Sequence, residues 1–256
     1  MSRLRAWLDT TPLTSVALAL MREATGRDQP LEPIIPTRAA PLRSTARVAF
    51  WSLVAGVGTS TTAALVAQRS SAAGQAPLLV DLDRWAPSLA LRATLESATI
   101  MDALIQPDRE RDLVGRWSNV PLLAGSPELN REFDGARITA LMERLASGRA
   151  LVVDLGAGAD ALDVTVLARM TRLCVVGGAR ASQLQALFCA KRLVQTATCP
   201  VGLVVVGVAV DDATLIANRA GMTLLGVVPD DAYLARDDFA ARAPTMRAID
   251  GIIRAL

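Results

Sequence analysis

Between residues 47 and 256, short apolar runs alternate with amphipathic stretches. The runs at 48–54, 77–83, 150–154, 172–177, 201–208 and 224–228 are rich in Val and Leu with few polar interruptions. Such runs mark strands buried on both faces, the pattern of a parallel sheet. The stretches 61–73, 136–146, 160–170 and 182–196 carry helical character between them. A shorter helix is expected at 100–105 and a strand at 120–123, inside an otherwise irregular interval from 88 to 130. Strands that alternate with helices predict an α/β class: a doubly wound, mostly parallel sheet flanked by helices.

The two ends read differently. Leu4, Trp7, Leu8, Leu13, Val16, Leu20 and Met21 follow a helical stripe that Pro12 interrupts, so residues 1–28 form an expected helical arm. Residues 29–45 include Pro30, Pro33, Pro36 and Pro41 and predict an extended linker, leaving 46–256 as the α/β domain. At the carboxyl end Met246, Ile249, Ile252, Ile253 and Leu256 share one helical face, opposite Arg247, Asp250 and Arg254. With so few charges on its polar face, this helix is expected to pack on the core rather than lie on a membrane. The arm, which precedes a linker, is the better candidate for binding a partner.

Composition narrows the classes. A chain of 256 residues, 52% of them hydrophobic, can bury one large core and is not disordered as a whole. No apolar run reaches the roughly 18 residues of a membrane span, and the start of the chain lacks the pattern of an export signal, so a soluble cytoplasmic protein is expected. A net charge of +2, with basic residues spread along the chain, predicts no specific nucleic-acid partner. Three cysteines without paired spacing and no histidine indicate neither disulfides nor zinc, and Cys174, Cys189 and Cys199 are expected in the core. Among the basic residues only Lys191 is a lysine.

Chemistry concentrates where the first strand meets the first helix. The loop contains Gly56-Val57-Gly58, then Thr59, Ser60 and Thr61, at the point where backbone N–H groups can surround a phosphate. It resembles the deviant Walker A loop of ParA/MinD ATPases, which reads K-G-G-x-G-K-[ST]. Laid on that pattern, Val54 and Thr59 stand where the family has lysines, and Ser60 keeps the magnesium hydroxyl. The apolar run ending at Asp81-Leu82-Asp83 resembles the family's second strand and its D-x-D turn. Asp154 followed by Gly158 resembles the Walker B and switch stretch, and Leu224-Leu225-Gly226-Val227-Val228-Pro229-Asp230-Asp231 a later strand. The resemblance covers about residues 46–256. Where the family carries an Asn that reads adenine, Leu203 to Val210 offers no amide.

The resemblance implies nucleotide contacts at Gly56, Val57, Gly58, Thr59, Ser60 and Thr61. It implies a magnesium ion held, mostly through water, by Ser60, Asp81 and Asp154, with Asp83 orienting water or joining the magnesium shell. The same aspartates could instead cap the turns that follow their strands. Without lysines the implied cofactor, ATP or ADP with magnesium, would be bound but hydrolysed poorly. The expected function is that of a homodimeric spatial organiser or assembly factor with a protein partner, similar to Tad/Flp pilus-localisation proteins and recruited to a pole or an inner membrane face. Two alternatives stand beside it: an active ATPase of the partition or division-site class, and a nucleotide-free interaction module with a collapsed loop. Arg84 is the candidate for a compensating cation.

Overall fold

The computed structural model describes residues 39–235 and 241–256, which fall within one compact unit, Pro36–Leu256. The expected arm at 1–28, and the linker as far as residue 38, lie outside the described residues.

Eight strands form one sheet. They are β1 (Arg47–Ser52), β2 (Leu78–Asp81), β3 (Gly115–Trp117), β4 (Val120–Leu123), β5 (Leu151–Ala157), β6 (Arg172–Gly178), β7 (Val201–Val206) and β8 (Thr223–Val228). Their spatial order is β3-β4-β2-β5-β1-β6-β7-β8. All pairs are parallel except β3 with β4 at the edge. The chain runs from β1 past β5 to β2 and later from β5 past β1 to β6, so the winding reverses between β1 and β5. Ligands of open α/β sheets bind at such a reversal, beyond the carboxyl ends of the strands.

Alternation along the strands assigns the two faces. Val48 and Phe50 of β1 pack with the helices α1 (Thr59–Ala72) and α8 (Ala243–Ala255). Ala49 and Trp51 face α3 (Ile100–Ile105), α4 (Gly135–Leu145), α5 (Val164–Leu167), α6 (Ala181–Val194) and α7 (Val210–Ala220). Phe50 and Trp51 are wholly buried, one on each side. Truncating either to Ala would cost about 3–5 kcal/mol, which shows how strongly the centre of the sheet is anchored.

Four expectations change. The single helix expected at 160–170 is a 3-10 turn, Ala159–Ala161, and the four-residue α5. Asp163 causes the break: its carboxylate accepts the N–H groups of Thr165 and Val166, which starts a new helix there. β5 runs past Asp154 to Ala157, whereas β1 ends at Ser52, where its register with β5 shifts. The edge strand β3, only three residues long, left no apolar run to read. Cys189 is exposed on α6, while Cys174 and Cys199 are buried as expected.

Candidate functional site

The loop after β1 is shaped by glycine. Gly56 and Gly58 adopt φ of 78° and 96°, a left-handed conformation that costs other residues strain. Gly58 is the N-cap of α1, and no side chain caps that helix and no acid stands in its first turn. The helix's positive end therefore opens at the loop without local compensation, the arrangement that attracts anions. Thr62 Oγ1 donates back to the Gly58 carbonyl at 2.8 Å, which fixes the first turn.

A cavity of about 100 Å³ sits over the loop, lined by Ser52, Gly56, Gly58, Ser60, Asp83 and Arg92 among others, including Thr59 and Thr61. Of the loop residues implicated from sequence, Val57 does not line it, because its side chain is buried in the core. Thr59 turns inward as well: its hydroxyl donates to Ser52 Oγ at 2.9 Å, and Ser52 Oγ donates to the Val54 carbonyl at 2.9 Å. Neither Val54 nor Thr59 thus presents a charge at the loop. Val206, at the end of β7, lies beside the loop, since a Cβ placed on Gly58 would meet it at 3.8 Å. An apolar side chain thus stands beside the loop.

Behind the cavity two carboxylates face one another. Asp81 and Asp154 are partners in register on β2 and β5, and both are buried. Asp81 Oδ1 accepts the N–H of Asp83 at 3.1 Å, and Oδ2 accepts those of Ser88 and Leu89, both at 3.0 Å. Asp81 therefore holds the turn after β2 and caps the short helix α2 (Leu89–Arg92). Asp83 does the same one step on, accepting from Trp85 and Ala86 through Oδ1, while its side chain packs against the bare backbone of Gly156.

Asp154 is engaged differently. Oδ1 accepts the Gly156 N–H at 3.0 Å. Oδ2 is buried and has no well-formed hydrogen bond, although the Ser60 hydroxyl lies close enough to favour its charged form. Burial raises the pKa of both aspartates. For Asp81 the neighbouring Asp154 charge adds to burial, against the N–H groups of Leu89 and Asp83. For Asp154 the Ser60 hydroxyl, the Gly156 N–H and Arg92 oppose burial. A buried carboxylate oxygen without a partner, next to a hydroxyl on a phosphate-type loop, suits a cation. Among the described residues no group of three or more His, Cys, Asp or Glu could hold a metal alone. Magnesium characteristically takes one or two carboxylates and completes its shell with phosphate oxygens and water, so the donor set fits it.

The stretch after β5 is tethered. Gly158, with φ of 109°, donates its N–H to the Ser52 carbonyl and accepts the Trp51 indole N–H at 2.8 Å. Trp85 Nε1 donates to Asp160 at 2.8 Å, joining the loops after β2 and β5. Arg84, the expected compensating cation, is stacked over the Phe133 ring at 3.4 Å. Arg92 is the arginine at the loop, its Nη1 donating to Thr61 Oγ1 at 3.0 Å. Sequence reading missed it because only the folding of α2 over the loop brings position 92 to position 61.

Fold and site together define a doubly wound α/β domain with a phosphate-type loop at the switch point of its sheet. Among solved structures the chain is similar to a ParA family ATPase from Chlorobium tepidum, at 18% identity and a TM-score of 0.67, covering 83% of this chain and 100% of that one. It is similar to MinD complexed with Mg-ADP from Pyrococcus horikoshii, at 16% identity and 0.68, covering 81% and 94%. It is also similar to a chain of the MinC:MinD cell division protein complex from Aquifex aeolicus, at 15% and 0.64, covering 82% and 94%. The chain has the fold of ParA/MinD-like P-loop ATPases. No protein-family profile and no curated protein sequence matches it.

Proposed function

We propose that the chain is a nucleotide-responsive organiser that binds ATP or ADP with magnesium and hydrolyses slowly. The observation that carries this reading is the loop itself: an uncapped helix start and two left-handed glycines, with the Thr59 side chain tied to Ser52 in the slot of an ammonium. Backbone amides and the helix dipole favour phosphate binding. Phosphoryl transfer needs positioned positive charge on the terminal phosphate, and losing such a group costs on the order of 10³–10⁵ in rate. Ser60 and Asp154 would hold magnesium, Asp81 would shape the adjoining turn, and Asp83 would face the water side of the cavity. Bound magnesium would neutralise charge between Asp154 and the phosphates. The Mg-ADP complex of the Pyrococcus horikoshii neighbour supports nucleotide with magnesium as the ligand class. The same reading has the chain act as a homodimer that recruits a protein partner, with a Tad/Flp-type pilus as the narrower setting.

A second reading, a nucleotide-free interaction module, is favoured by the cavity's size. About 100 Å³ is below the roughly 300 Å³ at which ligand pockets begin. Thermal unfolding with ATP, ADP or GTP plus magnesium, beside a turnover assay on the same protein, separates the readings. The organiser predicts stabilisation of about 5–10 °C at a hundredfold excess over Kd, with little turnover. Brisk magnesium-dependent cleavage lost in Ser60→Ala would assign the chain to the active ATPases, and no shift with any nucleotide would leave the interaction module.

A further inference from the structure

We infer that Arg92, which lies outside the phosphate loop, supplies the cation that the loop lacks when a phosphorylated ligand binds. The inference rests on the nucleotide-binding reading above and adds the residue that makes the binding electrostatically workable.

The loop has no positive side chain, since Val54 and Thr59 occupy the slots. Lys191, the single lysine, is remote: its Nζ lies against Gly221, just before β8 and so at the opposite edge of the sheet. Arg84 is committed to the Phe133 ring, and burial together with the charges of Asp160 and Asp163 defines its surroundings. Arg92 alone among these lines the cavity beside Gly56, Gly58 and Ser60.

Its placement is built from below. Leu89, at the start of α2, is fully buried, and Asp81 caps that helix through the N–H groups of Ser88 and Leu89. These anchors deliver Arg92, at the helix's end, to the first turn of α1, where Nη1 meets Thr61. A guanidinium carries five N–H donors in a fixed fork whose geometry matches phosphate oxygens bidentately. Asp154 Oδ2, buried close to Ser60 without a well-formed hydrogen bond, is a second polar group of this end of the sheet that a charged ligand would engage. Arg92 and the glycine loop thus line one cavity, with the Asp154 carboxylate close to Ser60 in its wall, the charges that a magnesium-bound diphosphate would match.

The test uses the full chain with Mg-ADP and, separately, inorganic pyrophosphate with magnesium, measuring affinity by calorimetry and unliganded melting by circular dichroism. Arg92→Gln is expected to weaken both ligands about 10- to 100-fold, the range of one charge-assisted hydrogen bond. Arg92→Lys should restore most of the affinity, and Thr61→Val should alter it less than Arg92→Gln does. Equal affinity in wild type and Arg92→Gln would overturn the inference while leaving nucleotide binding intact. Equal losses of unliganded stability in Arg92→Gln and Thr61→Val, with the ligand-induced shift unchanged, would make Arg92 a pin between α1 and α2 and also overturn it. No binding by the wild type would remove the nucleotide reading itself.

Discussion

Two carboxylates, Asp81 and Asp154, are buried side by side on neighbouring strands near the glycine loop. Because burial raises the pKa of Asp81 and Asp154, the folded chain retains protons that the unfolded chain gives up above the ordinary value of 3.8. The stability this contributes is complete below that value and is lost as pH rises through the raised values. Ligand-free protein should therefore melt progressively lower from pH 5 to pH 8, and Asp154→Asn should flatten that decline, as melting curves across the range would show. Magnesium with nucleotide should restore stability most at the alkaline end. Gly58 provides a second prediction at this scale. Its φ of 96° leaves room for a methyl group but not for comfortable backbone geometry, so Gly58→Ala should cost about 1–2 kcal/mol and weaken nucleotide binding, read from denaturant unfolding and calorimetry.

At the scale of elements, α8 shows what holds the first helix in place. Ile249, Ile252 and Ile253 are buried, and Ile252 packs so closely on Gly226 of β8 that a side chain there would collide with it. Asp250 accepts from Arg69 of α1 through Nε at 3.0 Å and Nη2 at 2.6 Å, and from the Ala40 N–H. The apolar face of α8 is thereby spent inside the domain and is not presented to a membrane. Among the described residues no helix is long and apolar enough to cross one. Removing one partner of a buried pair strands the other, so Asp250→Ala should destabilise the domain by about 3 kcal/mol or more, lowering the melting temperature by roughly 6–12 °C. Because α1 carries the loop, the same variant should bind nucleotide less well even below its melting point.

For the whole molecule, the sheet, both helical layers and every residue of the candidate site belong to the unit Pro36–Leu256. A fragment spanning those residues is expected to unfold in one cooperative transition and to keep any nucleotide response of the full chain, which melting with and without Mg-ADP would check. Loss of the response in the fragment would assign the amino-terminal segment a part in binding. The switch point between β1 and β5 explains why the site can gather its parts from so far apart. Loops after β1, β2 and β5 emerge on one edge, so Ser60, Asp83 and Gly156 meet although nearly a hundred positions separate them in the chain.

Apolar runs and their spacing determined the layered, mostly parallel architecture, because strands buried on both faces have no freedom to be polar. The loop glycines and the D-x-D turn were equally legible, since backbone conformation and short capping contacts are local matters. Tertiary structure alone decided the rest. It broke the segment at 160–170 around the Asp163 cap, turned Thr59 toward Ser52, committed Arg84 to Phe133 and carried Arg92 to Thr61. Such choices depend on which side chains meet across elements, and hydrophobic periodicity carries no record of a meeting between an arginine and a hydroxyl 31 positions away.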